Sequence, residues 1–300
     1  MTLTSGTRWT LTRDDDAFPT ALRETESIHV LRGIGDMSCL AEACISVIGS
    51  RRATPYGLAA AELAGRVAAE CGLVVVTGGA RGCDHAASMA ALDAGGKAIV
   101  VPGSGADVIY PSSSADAFEG AVSSGGCVVS LEDWGAGPRR YMFVRRNSLI
   151  AALSLSLIVT EADLKSGTYS TASAALSLSR NIYAIPGSIF SPTSRGTNRL
   201  IESGAAIVPD EIALEQLIAS DYDRLRLVDE RPITERGRTL SALVASPSRP
   251  DELSEKMGCD VLTAIRNISD LEARGLVERL TDGRYSPTER ALLGDNVRRA

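Results

Sequence analysis

The fold is decided by residues 44–82, which read CISVIGSRRATPYGLAAAELAGRVAAECGLVVVTGGARG. An apolar run (Cys44–Gly49) is followed by a polar turn, by a helical pattern that stops at Gly72, and by a second apolar run (Leu73–Thr77). Both runs are nearly continuously apolar rather than alternating, which is typical of strands that a parallel sheet buries on both faces. The stretch therefore predicts a strand–helix–strand unit.

The same unit recurs up to about residue 210. Helical segments separate five further apolar runs, which are Lys97–Val101, Cys127–Leu131, Leu155–Thr160, Asn181–Ile185 and Ala205–Val208. Strands that alternate with helices in this way predict the α/β class. We expect an extended Rossmann-like, doubly wound and mostly parallel sheet, together with a small C-terminal winged-helix domain.

The domain organisation follows from changes in composition along the 300 residues. The winged helix is predicted because three helical segments precede a hairpin with an Asp282-Gly283 turn. We predict, in chain order, a lead-in without regular structure, the Rossmann-like domain, a charged linker, the winged helix and a tail, over residues 1–43, 44–220, 221–238, 239–290 and 291–300.

Composition excludes several classes of protein. The net charge of −6 gives no bulk attraction for nucleic acid, and 28 of the 31 basic residues are arginine. Six scattered cysteines without a CxxC pair, and only two histidines, predict neither a zinc site nor a disulfide framework. Neither a membrane span nor a secretory signal is visible, so we expect a cytoplasmic protein. The pattern of cysteine and histidine leads us to expect no bound metal.

The turns that follow the apolar runs are the candidate binding site, because ligands of parallel sheets bind beyond the carboxyl ends of the strands. These turns are rich in glycine, hydroxyl side chains and arginine, which together suit phosphate. A single such turn is explained by the glycine that its geometry needs, but six at one edge favour an anion site. The candidates are Gly49, Ser50, Arg51, Gly78, Gly79, Arg81, Arg139, Arg140, Arg146, Asn147, Ser166, Gly167 and Thr168.

Phe143 joins these candidates because it lies among four arginines in a chain with few aromatic residues. An exposed aromatic ring beside arginine is a stacking platform for a base of single-stranded nucleic acid. The ring would equally serve as a core anchor for the helix over residues 146–153. The sequence leaves both interpretations open.

Catalytic chemistry finds little support. No GxGxxG opens the first helix and no GxxxxGK[ST] occurs, so neither a dinucleotide cofactor nor a P-loop is predicted. Asp84 is adjacent to His85, but a helix cap is the simpler use of the aspartate. Glu161 and Asp163 are expected to buttress an arginine rather than to transfer protons. Cys83 has no better partner base than His85, so we predict no catalytic residue and no cofactor.

Seven motifs occur in a fixed order along the chain: VLRGIGDMSCL (30–40), VIGSRRATPYG (47–57), VVVTGGARGCDHAA (74–87), AIVVPGSGADVIYP (98–111), FVRRNSLIAALS (143–154), VTEADLKSGTYSTASAA (159–175) and AIPGSIFSPTSRGTNRLIESGA (184–205). They resemble the bacterial DNA-processing protein A family (DprA, or Smf). The resemblance implies a Rossmann-like domain that binds single-stranded DNA, protects incoming DNA in natural transformation and helps to load a RecA-type recombinase. It also implies a homodimer without catalysis, metal or cofactor, and a winged-helix tail.

The family's signatures can be placed residue by residue. Its Gly-Ser-Arg signature corresponds to Gly49, Ser50 and Arg51, and its Phe-Pro-x-Arg-Asn-Arg signature corresponds to residues 143–148. Four positions depart from the family pattern: Val144 replaces proline, Ser148 replaces arginine, Ser88 replaces a histidine and Ser112 replaces a basic residue.

Two other functions remain as alternatives. A nucleotide-binding enzyme of the phosphoribohydrolase-like Rossmann group would need a PGGxGTxxE run. The nearest pieces are Pro186-Gly187 and Gly196-Thr197-Asn198, which a loop separates and which lack the glutamate. A nucleotide-sensing module, whose tail contacts DNA or a partner protein, is the third possibility.

Overall fold

The computed structural model describes residues 1–23, 25, 27–164, 166–226, 235–288 and 291. The chain divides into two units, Met1–Leu227 and Val228–Ala300. None of the helices among the described residues has the length and apolarity needed to cross a bilayer.

The first unit is built on a nine-stranded sheet with the strand order β1-β2-β6-β5-β4-β3-β7-β8-β9. Seven strands, from β6 to β9 in that order, are parallel to one another, and β2 is antiparallel to both of its neighbours. This confirms the predicted mostly parallel, doubly wound sheet. The strands are β1 (Arg8–Thr12), β2 (Val30–Gly35), β3 (Cys44–Ile48), β4 (Val74–Thr77), β5 (Ala98–Val100), β6 (Cys127–Ser130), β7 (Ser156–Val159), β8 (Asn181–Ala184) and β9 (Ala206–Ile207).

Helices of the first unit cover both faces of this sheet. They are α1 (Thr20–Arg23), α2 (Pro55–Glu70), α3 (Cys83–Asp93), α4 (Ala115–Ser123), α5 (Arg140–Leu153), α6 (Thr168–Ser177), α7 (Arg195–Glu202) and α8 (Glu211–Tyr222). Because successive side chains of a strand point to opposite faces, Val75 packs with α2 and α3, whereas Val74 and Val76 pack with α5. Helices α2 and α3 approach closely at Gly65, where a Cβ would fall 2.2 Å from the carbonyl oxygen of Ala87.

The N-terminal lead-in differs from its prediction. Residues 1–43 were expected to lack regular structure, but β1 and β2 lie within them and extend the sheet beyond β6. Polar and glycine residues such as Arg32 and Gly33 interrupt the apolar pattern of β2. The strand is stabilised by pairing with β6, in which Arg32 lies opposite Ser130, and this long-range partner is not visible in the local sequence.

The second unit contains α9 (Glu235–Ala245), α10 (Pro250–Met257), α11 (Val261–Ala273), β10 (Val277–Arg279) and β11 (Tyr285–Pro287). Its buried core includes Leu243, Leu253, Ile268 and Leu271. Three helices followed by an antiparallel strand pair is the order of elements that we predicted for a winged helix. The assignment as a winged helix stays a prediction.

Two predicted segments fall partly outside the described residues. The linker predicted over 221–238 begins within α8, which extends to Tyr222, and ends within α9, which begins at Glu235. Residues 227–234 of that segment are not among those described. Of the tail predicted over 291–300, only Ala291 is described.

Chain topology gathers the candidate turns at one edge of the sheet. From the central β3 the chain adds β4, β5 and β6 on one side, and then returns to add β7, β8 and β9 on the other. The turns after β3 and β7 therefore diverge at the switch point, where open α/β sheets bind their ligands. We call the connections that follow the parallel strands β3 to β8 the carboxyl edge.

Candidate nucleic-acid interface

Phe143, in the first turn of α5, lies at the centre of a group of side chains on the carboxyl edge. Its half-buried ring lies so close to Gly103 that a Cβ on this glycine would be 2.5 Å from the ring carbon Cδ1. The guanidinium carbons of Arg51 and Arg146 are 5.0 Å and 6.0 Å from the ring centroid, and the Tyr110 ring centroid is at 6.0 Å. We call these five residues the Phe143 cluster. Its geometry is that of cation–π contacts around a shared ring.

Arg146 is the buried member of the cluster. The residue is 6% exposed, and its Nη1 donates a hydrogen bond to the carbonyl oxygen of Val101 at 2.7 Å. Its Nε is buried and has no hydrogen-bond partner among the residues that the structure describes. Burial lowers the pKa of Arg146 to about 10, and the nearby charge of Asp84 opposes this shift. Arg146 is thus a cation held inside the edge rather than on its surface.

Asp84 connects the turns after β3 and β4. Its Oδ2 accepts a hydrogen bond from the Gly78 amide at 2.9 Å, and its Oδ1 accepts one from the Gly49 amide at 3.4 Å. Burial raises the pKa of the Asp84 carboxyl, whereas Arg146 and the two amides oppose that rise. The predicted helix cap is wrong, because α3 has Gly82 at its N-cap and no side-chain cap there.

Three glycines do not have the role that the sequence suggested. Gly49, Gly78 and Gly79 were expected to present their amides to phosphate. The first two amides donate to Asp84 instead, and the Gly79 amide donates to the hydroxyl of Thr77 at 3.3 Å. These donors are satisfied within the protein. The glycines at 78 and 79 are buried and permit close packing, which the sequence cannot distinguish from a phosphate-binding turn.

The turn after β7 lies against the turn after β3. The buried Thr168 donates its hydroxyl proton to the carbonyl oxygen of Gly49 at 3.5 Å, which is a long hydrogen bond. Gly167 is the N-cap of α6 and provides no side-chain cap. The Ser166 hydroxyl is buried and makes no hydrogen bond with a described residue. Asn147 points to α6, since its Nδ2 donates to the Ser170 hydroxyl at 3.1 Å.

Several exposed arginines of the carboxyl edge form no ion pair with a described residue. Six arginines of this edge are exposed and form no ion pair with any residue in the described ranges: Arg51, Arg52, Arg81, Arg139, Arg140 and Arg195. Other arginines of the unit are paired, Arg8 with Asp107 and Arg32 with Asp133. Four of the six were sequence candidates. Arg52 and Arg195 were missed, although each lies in a glycine-containing turn that the same argument covers.

The residues that were considered for catalysis make contacts that stabilise the fold or are buried within it. The buried Glu161 accepts hydrogen bonds from the Thr54 amide at 3.0 Å and from the Thr54 hydroxyl at 2.6 Å. It therefore holds the start of α2, and the predicted contact with an arginine is wrong. His85 Nε2 is 2.9 Å from Asp116 rather than paired with Asp84. Burial raises the pKa of the Cys83 thiol to about 12, so this thiol is no nucleophile at neutral pH.

Comparison with known proteins identifies relatives of this fold. The family model described as DNA recombination-mediator protein A matches residues 9–244, and a model described as HVO_A0261 N-terminal domain matches residues 231–297. Protein Smf of Escherichia coli (strain K12) is 31% identical over 274 residues, which cover 88% of this chain and 73% of that protein.

Two solved structures share the architecture. DNA processing protein A of Streptococcus pneumoniae superposes with a TM-score of 0.64 and 35% identity, over 68% of this chain and 72% of that one. DNA processing protein A of Helicobacter pylori, solved to show its single-stranded DNA binding mode, gives a TM-score of 0.63 and 29% identity, over 72% of this chain and 98% of that one. The family resemblance noted in the sequence is thereby confirmed. The chain belongs to the DNA recombination-mediator protein A family.

Proposed function

We propose that the carboxyl edge binds single-stranded DNA and that the chain protects incoming DNA during natural transformation. The observation that carries the proposal is the position of the exposed Arg51 guanidinium, 5.0 Å from the half-buried ring of Phe143. A cation for the phosphate and a ring for the base are thereby adjacent on a surface rich in unpaired arginines. The single-stranded DNA binding mode of the H. pylori relative supports the same assignment.

The chemistry of the edge favours single strands over duplexes. Stacking on Phe143 requires a base with a free face, whereas a base within a duplex is stacked on both sides. Arg51, Arg81, Arg139 and Arg140 would contact the backbone, which carries no sequence information. Binding is therefore sequence-tolerant and weakens as salt rises. Arg146 and Asp84 would act as positioning residues, because both are buried.

The test is a binding titration of a fluorescent oligonucleotide at about 0.1 M salt, where exposed charges still act over about 10 Å. We expect Phe143→Ala to weaken binding by roughly five- to hundredfold, the factor for loss of one base–aromatic stack. Arg51→Ala should weaken binding and reduce its salt dependence. The control is Arg224→Ala, which removes an exposed arginine beyond the end of α8. Wild-type affinity of both Arg51→Ala and Phe143→Ala would refute the proposed site.

The proposed biological role has two further parts, a RecA-type recombinase as partner and a homodimer as the working form. Membership of a recombination-mediator family supports the first. We propose that the chain acts in the cytoplasm by binding alone, without catalysis. Recombinase assembly on oligonucleotide should become faster when the wild-type chain is added, but not when Arg51→Ala is added. Sedimentation of the full chain tests the dimer.

A further inference from the structure

Exposed aromatic side chains are confined to one edge of the first unit. Within the described part of the chain, four aromatic residues are exposed, by between 46% and 89% of their surface: Tyr56, Tyr110, Tyr141 and Phe190. Each lies in the connection that follows a parallel strand, after β3, β5, β6 and β8 respectively. Only Tyr110 belongs to the Phe143 cluster. The exposed rings therefore extend along the same edge beyond the proposed site.

Phe190 is presented on a hydrogen-bonded loop. The side chain of Asn198 fixes the base of this loop, since its Oδ1 accepts from the Gly187 amide at 3.1 Å and its Nδ2 donates to the Gly187 carbonyl at 3.0 Å. The Phe190 amide donates to the Ser188 hydroxyl at 3.2 Å. The ring of Phe190 is nevertheless 89% exposed, and its neighbour Ile189 is exposed as well. Hydrogen bonds thus fix the base of this loop, while the apolar side chains of Ile189 and Phe190 at its tip are exposed to solvent.

Tyr56 and a free arginine accompany this loop. The Tyr56 hydroxyl donates to the carbonyl oxygen of Pro186, which connects the start of α2 to the connection after β8. Arg195, which begins α7 in the same connection, is exposed and forms no ion pair with a described residue. The connection after β8 therefore carries an exposed aromatic ring and an exposed, unpaired arginine, and a hydrogen bond joins it to Tyr56.

We propose that Tyr56 and Phe190 form a second stacking subsite for the same DNA strand, which passes from the Phe143 cluster across the switch point to β8. The inference rests on the proposed function. Tyr110 of the cluster follows β5, which is four strand spacings of about 4.8 Å, or about 19 Å, from β8, and Arg51 follows β3, which is two spacings, or about 10 Å, from β8. These distances correspond to about six and about three stacked nucleotides at about 3.4 Å each, and to fewer if the strand is extended.

The length of the oligonucleotide separates the two subsites. We would titrate the full chain with thymidine oligonucleotides of about two and about twelve nucleotides. Phe190→Ala should weaken binding of the longer oligonucleotide by roughly five- to hundredfold and leave the shorter one unchanged. Arg51→Ala should weaken binding of both. Phe190→Trp should restore long-oligonucleotide affinity, because it keeps a stacking ring. Leu176→Ala, an exposed apolar residue at the opposite end of α6, is the matched control.

The outcomes distinguish this inference from the proposed function. If Phe190→Ala binds both lengths as the wild type does while Arg51→Ala is impaired, the second subsite is refuted and the loop serves another partner, such as a protein. Equal loss at both lengths would also refute it, because a distant subsite cannot contact the short strand. If neither variant affects binding, the proposed function fails together with the inference.

Discussion

The guanidinium group of Arg146 lies against the backbone of Gly78, where a Cβ would fall 1.7 Å from Nη1. The φ of Gly78 is not in the left-handed region, so its backbone would accept other residues. The glycine is needed because the arginine occupies the space of a side chain. Arg146 also lies 6.0 Å from the Phe143 ring centroid, so this contact connects the turn after β4 to the proposed platform.

Gly78→Ala should therefore displace Arg146 and disturb the Phe143 cluster. We expect the free energy of unfolding to fall by about 1–3 kcal/mol, as for overpacking of a filled core, and oligonucleotide affinity to fall with it. Urea denaturation and fluorescence titration measure the two effects. The control is Gly137→Ala, since a Cβ there meets no atom within 4 Å. Wild-type stability and binding of Gly78→Ala would contradict the role assigned to this contact.

Asp84→Ala should destabilise the chain because it leaves the Gly49 and Gly78 amides without their acceptor. A buried donor without a partner costs about 1–3 kcal/mol. Asp84→Asn, which keeps one acceptor oxygen, should lose less stability than Asp84→Ala. Asp163→Asn replaces an exposed carboxylate of the turn after β7 and serves as the control. Equal stability of all three variants in denaturant melts would show that Asp84 does not hold the two turns together.

The variant Glu161→Gln tests whether the role of Glu161 is structural or catalytic. The carboxylate accepts two hydrogen bonds from Thr54, so its loss should lower the free energy of unfolding by about 1 kcal/mol. Oligonucleotide affinity should persist, because Glu161 is buried and its carboxylate bonds to Thr54 rather than to an arginine of the proposed site. A nucleoside-monophosphate hydrolysis assay is the second measurement. Hydrolysis by the wild type that Glu161→Gln abolishes would support the phosphoribohydrolase-like alternative.

A chain that ends after Arg238 should keep its affinity for single-stranded DNA. Every residue of the proposed site lies in the unit Met1–Leu227, which has its own hydrophobic core. Titrations with single-stranded and duplex oligonucleotides would be run separately on the truncated and full chains. Loss of single-strand binding on truncation would place part of the site in the second unit.

The reactivity of the cysteine thiols tests the prediction that none of the buried cysteines acts as a nucleophile. Burial raises the pKa of Cys71 to about 11 and that of Cys83 to about 12, and five of the six cysteines are buried. Only the half-buried Cys259 should react with a thiol reagent near neutral pH, and all six should react after denaturation. Mass spectrometry of the labelled chain identifies the site. Rapid native labelling of Cys83 would contradict the packing described.

The sequence predicts the elements whose signal is local. Nearly continuous apolar runs identified the strands from β3 to β8, because strands that are buried on both faces show no alternation of apolar and polar residues. The shorter run of β9 was identified as well, although this strand is only partly buried. The rule for carboxyl ends of strands placed Arg51 and Phe143 at one edge, and the structure brings these two side chains together. The strands β1 and β2 were missed, because β2 depends on a distant partner.

Hydrogen-bond partners within the site were not predictable to the same degree. Asp84 follows Gly78 by six residues and Gly49 by 35, and only the packing of α3 beneath both turns makes one carboxylate the acceptor for both amides. In a sequence, a glycine that leaves room for an arginine side chain cannot be distinguished from a glycine that lets the backbone approach a phosphate. Tertiary contacts decide between them.

The insertion of β2 between β1 and β6 has a consequence for synthesis on the ribosome. Its partner strand β6 is synthesised about a hundred residues later. Until then, the backbone groups of β2 that face away from β1 have no partner strand. Contacts between such distant segments form slowly, and an open strand edge in the interval invites pairing with another chain. The nascent polypeptide is therefore most vulnerable to aggregation before the strand that ends at Ser130 has left the exit tunnel.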